Sequence, residues 1–276
     1  MIESMAAPQA RGKKANDVIF GASHAAQADI AQNGPALVVN GTAGVIQDEE
    51  GRLVCLPTVE KVYRALPMEA VTAYAPVAGM PAFLKDAEAC CFGDFRPEGY
   101  TAAVATTGGT GAIHHIIHNY SEPGDEILTS NWYWSAYNML CVDAGRTLRT
   151  FRLLDGKGRF DHEDFQRQLS AMADRQEHLP VILNTPAHNP TGYSLTDEDW
   201  DRVLDFLKFL VGRGKKIVLL VDVSYIDYAG PDARRFFRKF SGLPPEILVV
   251  AAFSMSKSFT VYGLRIGAMI GLSSSE

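Results

Sequence analysis

Ile247-Leu248-Val249-Val250-Ala251-Ala252-Phe253-Ser254-Met255-Ser256-Lys257-Ser258 runs from seven consecutive apolar residues into a lysine flanked by hydroxyls, and Arg265 follows eight residues later. The apolar run reads as a buried strand, which sets Lys257 just past a strand's carboxyl end, where open α/β sheets receive their ligands. An amine there, beside hydroxyls and a fixed guanidinium, has what a Schiff-base lysine and a phosphate anchor need. The competing reading is a solvated loop lysine, because lysine is seldom fully buried.

Working outward, short apolar runs alternate with amphipathic stretches from about residue 100 onward, the pattern of an α/β fold built on a mostly parallel open sheet with helices on both faces. Strands are expected at 102–106, 126–130, 148–153, 181–184, 217–222, 247–252 and 265–271, and helices at 110–120, 134–143, 162–174, 196–211 and 232–240. The fourth helix has the clearest ends: Thr196 as N-cap, Asp197, Glu198 and Asp199 in its first turn, and Gly212 and Gly214 after it. Residues 1–50 are turn-rich (Asn33-Gly34-Pro35, Asn40-Gly41, Asp48-Glu49-Glu50-Gly51) and read as an N-terminal arm leading into a sheet domain over 51–276. The strand at 266–272 is followed only by Ser273-Ser274-Ser275-Glu276, so no succeeding helix covers it, which suggests a truncated product or a fragment.

Composition narrows the function classes. With 276 residues and 47% apolar content the chain can bury a substantial core, and its formal net charge of -6 gives no footprint for nucleic acid or an anionic membrane. Cys55, Cys90, Cys91 and Cys141 show neither disulfide nor zinc spacing, which fits a reducing cytoplasm and suggests no metal. Arg11, Lys13 and Lys14 near the N-terminus are followed by no apolar signal segment, and no apolar run is long enough to span a bilayer.

Three further constellations carry chemistry. Thr106-Thr107-Gly108-Gly109-Thr110-Gly111 is a glycine-rich turn between a strand and a helix, where backbone N–H groups and the helix dipole favour an anion. Read without a ligand it is a tight turn; read as a dinucleotide fingerprint it fails, because His114 stands where a third glycine would allow close helix packing. Asn184-Thr185-Pro186-Ala187-His188-Asn189-Pro190-Thr191-Gly192 follows a strand, its prolines fixing a loop from which Asn189 can donate. His188 reads as a structural histidine. The buried run 217–221 delivers Asp222 at its end and Tyr225 three residues on, either as ligand groups or as a turn cap.

Taken together and in order, these motifs resemble the large domain of fold-type I pyridoxal-phosphate enzymes, in particular the aspartate and aromatic aminotransferase subgroup of class I/II. The resemblance rests on His-Asn-Pro-Thr-Gly, Asp-x-x-Tyr, and Ser-x-Ser-Lys followed by Tyr-Gly-x-Arg-x-Gly, and covers about residues 35–276. It implies pyridoxal 5'-phosphate held through a Schiff base on Lys257, with Ser254, Arg265 and the Gly108-Gly109-Thr110 turn on the phosphate. It further implies Asp222 on the pyridine nitrogen, Tyr225 and Asn189 on the phenolic oxygen, and Trp134 stacked on the ring, Trp132 being the weaker choice. Tyr74, ahead of Ala78-Gly79-Met80-Pro81, matches a tyrosine that reaches the neighbouring site of a homodimer. Gly44, with Asn189, falls near the substrate, and residues 1–50 would then include part of a small domain. The implied activity is amino-group transfer between an amino acid, aromatic or dicarboxylic, and a 2-oxo acid.

Two departures stand out. Tyr137 occupies the place where the aspartate enzymes usually carry a histidine supporting the pyridine-pairing carboxylate. The family also continues into a C-terminal small domain with the arginine that clamps the substrate's α-carboxylate, for which this sequence has no counterpart. The rival readings are a β-lyase on the same cofactor, a non-catalytic cofactor-binding regulator, against which the short N-terminus without a helix-turn-helix argues, and an inactive fragment.

Overall fold

The computed structural model describes residue 5, residues 18–42 and residues 44–275, so Arg11, Lys13 and Lys14 lie outside the described residues. Two units are distinguished, Met1–Leu56 and Pro57–Glu276. In the first, helix α1 (Val18–Asn33) lies within the stretch expected to hold an arm and part of a small domain. Beyond it, a tight turn is closed by Asp48, whose carboxylate accepts from the backbone N–H groups of Glu50 and Arg52, and by an isolated antiparallel bridge between Gln47 and Leu53. Gly51 supplies the positive φ of 76° that this turn requires.

The second unit opens with three helices beyond those the sequence pattern predicts: α2 (Pro57–Arg64), α3 (Met68–Thr72) and α4 (Pro81–Phe92). The first two bury no residue, and the apolar positions of α2, Val59, Val62 and Tyr63, face no core of this unit. Then follow β1 (Tyr100–Thr107), α5 (Gly108–Asn119), β2 (Glu126–Ser130), α6 (Ala136–Asp143), β3 (Thr147–Phe151), α7 (His162–Ala173), β4 (His178–Asn184), α8 (Asp197–Val211), β5 (Lys216–Asp222), β6 (Ile247–Ser254), the short α9 (Met255–Ser258) and β7 (Ile266–Ser273). The seven strands form one sheet in the order β1-β7-β6-β5-β4-β2-β3, with β7 alone running against its neighbours. This is the mostly parallel α/β sheet that the apolar runs predicted.

The strands are apolar throughout because both faces are covered. On β5, Val218 and Leu220 point into one core with Ile113, Ile116 and Ile117 of α5 and Leu140 of α6, while Leu219 and Val221 point into the other with Phe165 of α7 and Trp200 of α8. The expectation that the final strand lacks a covering helix is corrected here. β7 lies inside the sheet between β1 and β6, and Ala268, Ile270 and Leu272 are buried in the same core as Ala87 and Cys91 of α4. Its cover comes from earlier in the chain.

Two further expectations change. The stretch 232–240 is not an α-helix but a 3₁₀ helix, Arg235–Phe240, whose tighter turn brings Phe237 and Phe240 onto one side, and Phe236 stacks on Trp200 at 5.1 Å. Helix α6 begins at Ala136 and not at Trp134, leaving the indole on the loop before it. No helix among the described residues is long and apolar enough to cross a membrane.

Helix α8 has the cap its sequence announced. Thr196 accepts from the Asp199 N–H at 3.1 Å, and Asp199 in turn accepts from the Thr196 N–H at 2.9 Å. Asp199 also accepts from Tyr193 and pairs with His162, both at 2.8 Å. Burial alone would raise the Asp199 pKa, but hydrogen bonds from Thr196, Tyr193 and His162 hold it below the usual carboxylate value. A lowered folded-state pKa stabilises the fold above the unfolded value, and that contribution disappears as pH falls through the lower one. Asp199→Asn is therefore expected to cost about 1–2 kcal/mol at neutral pH and to flatten the loss of stability below about pH 4, measured by urea titration at each pH.

Candidate active site

The sheet register brings the separate motifs to one edge. Thr106 of β1 and Ser254 of β6 both pair with Gly267 of β7, and Asn184 of β4 pairs with Asp222 of β5. The carboxyl ends of β1, β4, β5 and β6 therefore lie along one side, where the βα turns emerge.

At the β1 end, backbone and guanidinium pack without room for side chains. Gly108 has φ +67°, and a Cβ there would stand 2.9 Å from Arg265 Nη2. A Cβ on Gly267 would fall 2.6 Å from the carbonyl carbon of Gly108, and one on Gly109 would meet Ser224 Oγ at 3.3 Å and Ser254 Cβ at 3.4 Å. Arg265 adopts the left-handed conformation, φ 53°. Its Nη1 donates to the Tyr262 carbonyl at 3.1 Å and to Ser256 Oγ at 3.5 Å, and its Nη2 donates to Thr110 Oγ1 at 3.3 Å. The N-terminus of α5, the guanidinium and the hydroxyls of Thr110, Ser254 and Ser256 thus surround a cradle suited to a compact anion.

Asp222, 4% exposed, lies at the end of β5. Its Oδ1 accepts from the Ser224 N–H at 3.1 Å and the Ser224 hydroxyl at 2.6 Å, and its Oδ2 accepts from the Tyr137 phenol at 2.5 Å. A carboxylate has about four lone-pair positions, so among the described residues one on Oδ2 has no donor. The departure at Tyr137 thus resolves into a phenol holding the carboxylate. Burial, and then the Asp222 charge, push the Tyr137 hydroxyl well above its ordinary pKa, so it remains a donor.

The Asn-Pro loop is tied to the same strand end. Asn184 Nδ2 donates to the Asp222 carbonyl at 2.9 Å, and Asn184 Oδ1 accepts from the Asn189 N–H at 2.7 Å. Asn189 Nδ2 then lies 3.5 Å from the Tyr225 hydroxyl. Burial first, and the charge of Asp222 second, raise the Tyr225 pKa. His188 is buried between Ser130 Oγ at 3.2 Å and Thr191 Oγ1 at 2.9 Å, and burial lowers its pKa, the arrangement of a neutral structural histidine.

Lys257 sits in α9, its carbonyl accepting from the Tyr228 hydroxyl at 3.0 Å. Its Nζ lies 5.6 Å from the Tyr225 ring centroid and 5.3 Å from that of Tyr262. Burial, helped by the charge of Arg265, lowers its pKa and favours the neutral amine.

Not every expected residue joins this cluster. Trp134 does, edge-on to Tyr137 at 5.8 Å between centroids, while Trp132 is 55% exposed. Tyr74 stands fully exposed beyond α3, and Gly44 belongs to the first unit. Ser224 and Ser256 were not singled out by sequence reading. The signal for Ser224 is its place two residues after Asp222, where a carboxylate caps its own turn.

Pyridoxal phosphate, which the sequence resemblance implies, fits this donor set. The glycine cradle with Arg265 suits its phosphate, the open position on Asp222 suits a ring N–H, and Asn189 and Tyr225 offer donors for a phenolic oxygen.

Comparison with known proteins points the same way. Residues 38–275 match the family model "Aminotransferase class I and II". A cytoplasmic aspartate aminotransferase of Schizosaccharomyces pombe is 29% identical over 249 residues, 84% of this chain and 58% of the relative. An aromatic-amino-acid aminotransferase of Pseudomonas aeruginosa is 30% identical over 241 residues, 82% of this chain and 56% of the relative. The solved structure of an aminotransferase from Anaerococcus prevotii superposes with a TM-score of 0.95 at 38% identity, covering 99% of this chain and 67% of that one. An aromatic-amino-acid aminotransferase from Burkholderia pseudomallei, covalently bound to pyridoxal phosphate, gives 0.74 at 26% identity, covering 98% of this chain and 67% of that one. The chain thus spans less than two thirds of the length of these curated relatives.

Proposed function

This chain belongs to the class I and II aminotransferases, and from that premise we propose that it moves amino groups between an amino acid and a 2-oxo acid, using pyridoxal phosphate bound at Lys257. The observation that carries the reading is the acceptor position on Asp222 that no described residue fills, at the end of the strand next to the one that leads into the half-buried Lys257, whose burial favours the neutral amine. When bound, the cofactor supplies an electron sink for the pair left at the substrate's α-carbon as its proton departs.

The chain's own residues do the rest. Lys257 is the base that takes that proton and returns it one position away, and its lowered pKa keeps the amine available closer to neutral pH. Asp222 would accept the hydrogen bond of the ring N–H. Tyr225 and Asn189 donate to the phenolic oxygen, while Ser254, Arg265 and the turn Gly108-Gly109-Thr110 anchor the phosphate. Trp134 would supply the aromatic face for the ring. Gly44 and Asn189 serve the substrate; residues 1–50 are an arm and part of a small domain, and residues 51–276 are the cofactor domain.

The working unit is a homodimer in which Tyr74 reaches the neighbouring site. What supports this is the stretch around Tyr74, where Tyr63, Met68, Val71 and Val77 are exposed apolar or aromatic residues and the two helices bury nothing. A cytoplasmic setting agrees with the four free cysteines.

Aspartate and phenylalanine, each supplied with 2-oxoglutarate, test the proposal. Formation of glutamate is the expected result. Pyruvate and ammonia released from a cysteine conjugate, without amino transfer, would replace it with a β-lyase.

A further inference from the structure

Among the described residues the Asp222 carboxylate accepts from one backbone N–H and two hydroxyls, and its two sides are treated differently. Oδ1 takes both donors that Ser224 offers, from a residue two positions away on the same turn, so this side is fixed by local chain geometry. Oδ2 takes its single donor from Tyr137, 85 residues away in sequence and on a different element. The phenol itself has little freedom: Tyr137 is 1% exposed, the second residue of α6, packed in the core on that face of the sheet and edge-on to Trp134.

We propose that Tyr137 is a positioning residue for Asp222, fixing the Oδ2 edge so that its remaining lone pair stays directed for a ring N–H donor. A phenol in this place differs from an imidazole in one respect that matters: it never carries positive charge, so it orients the carboxylate without neutralising it. The titratable groups around Asp222 agree. His188 has both ring nitrogens engaged by hydroxyls, Tyr225 is an uncharged phenol, and Tyr137 keeps its proton because burial and the carboxylate's charge raise its pKa. Asp222 therefore keeps its full attraction for a protonated ring nitrogen.

This inference rests on the cofactor reading above, and the experiment separates the two. Pyridoxal phosphate affinity, the pH titration of its visible band and the melting temperature of the cofactor-free protein are measured for the unaltered chain, Tyr137→Phe and Tyr137→His. Loss of a hydrogen bond to a buried charged acceptor is expected to weaken binding of Tyr137→Phe by about tenfold or more and to shift the band's titration. Tyr137→His, which restores a donor, is expected to recover affinity to within about threefold, with a changed pH profile because imidazole titrates near neutrality. If Tyr137→Phe binds within about twofold with an unchanged band, Tyr137 is only a core residue and the inference fails, given that an intact donor bond contributes more than this. It fails equally if both variants lose cofactor in proportion to lowered melting temperatures. An unaltered chain that binds no pyridoxal phosphate overturns the cofactor reading along with it.

Discussion

Lys257→Ala, incubated with pyridoxal phosphate and reduced with borohydride, is expected to yield no cofactor-bearing peptide, whereas the unaltered chain yields one labelled at Lys257. The lysine is the amine that α9 presents beside Tyr225 and Tyr262, and burial favours its nucleophilic form. Amino transfer should fall by on the order of 10⁴-fold, the upper end of what a positioned acid–base group contributes, since the same amine also moves the proton. Lys257→Arg keeps the positive charge but not the nucleophile, so it should fail equally. Stability should change little, because a half-buried lysine in the short α9 belongs to neither apolar core. A label on any other lysine, or a persisting visible band in Lys257→Ala, would remove Lys257 from the centre of the proposal.

Gly267→Ala carries the second large effect. The new methyl would meet three backbone atoms at once: the Gly108 carbonyl carbon at 2.6 Å, the Gly108 Cα at 2.8 Å and the Phe253 oxygen at 2.8 Å. No side chain can move aside, so the strands themselves must separate. A loss of about 3 kcal/mol is expected, the upper end of overpacking costs. In a domain of this size that corresponds to a fall in melting temperature of roughly 6–12 °C. Because the atoms displaced belong to the anion cradle, pyridoxal phosphate affinity should drop as well. Gly271→Ala on the same strand is the control: its methyl would meet only the Ala102 oxygen at 3.8 Å, an ordinary contact. Equal behaviour of the two variants would show that close approach at Gly108 is unimportant.

What could be read in the sequence follows from how many constraints each residue obeys. The strands were legible because burial on both faces leaves them almost wholly apolar, as in Ile217 to Val221. Helix α8 was legible because Thr196 and Asp199 cap it locally. By contrast, α2 and α3 bury nothing, and the 3₁₀ segment around Phe236 is set by stacking on Trp200, a contact between distant positions. The site divides the same way. Lys257, Asp222 and Arg265 announce themselves at strand ends, whereas the bond from Tyr137 to Asp222 spans 85 residues and follows from no local pattern. The cover over β7 is likewise tertiary, supplied from earlier in the chain.

The reversed strand has a consequence for timing. β1 and β6 run parallel to one another with β7 inserted between them, so hydrogen bonding there is completed only after residues 266–273 have been made and threaded into place. Pairing Tyr100 with Ser273 closes a loop of more than a hundred and fifty residues, a slow event whose entropic cost precedes its reward. Gly267 and Arg265 enter the anion cradle in that same late step. A nascent chain that stops short of β7 has Asp222 and Lys257 in its sequence and no seat for the phosphate, so acquisition of cofactor would act as a clock for the end of folding.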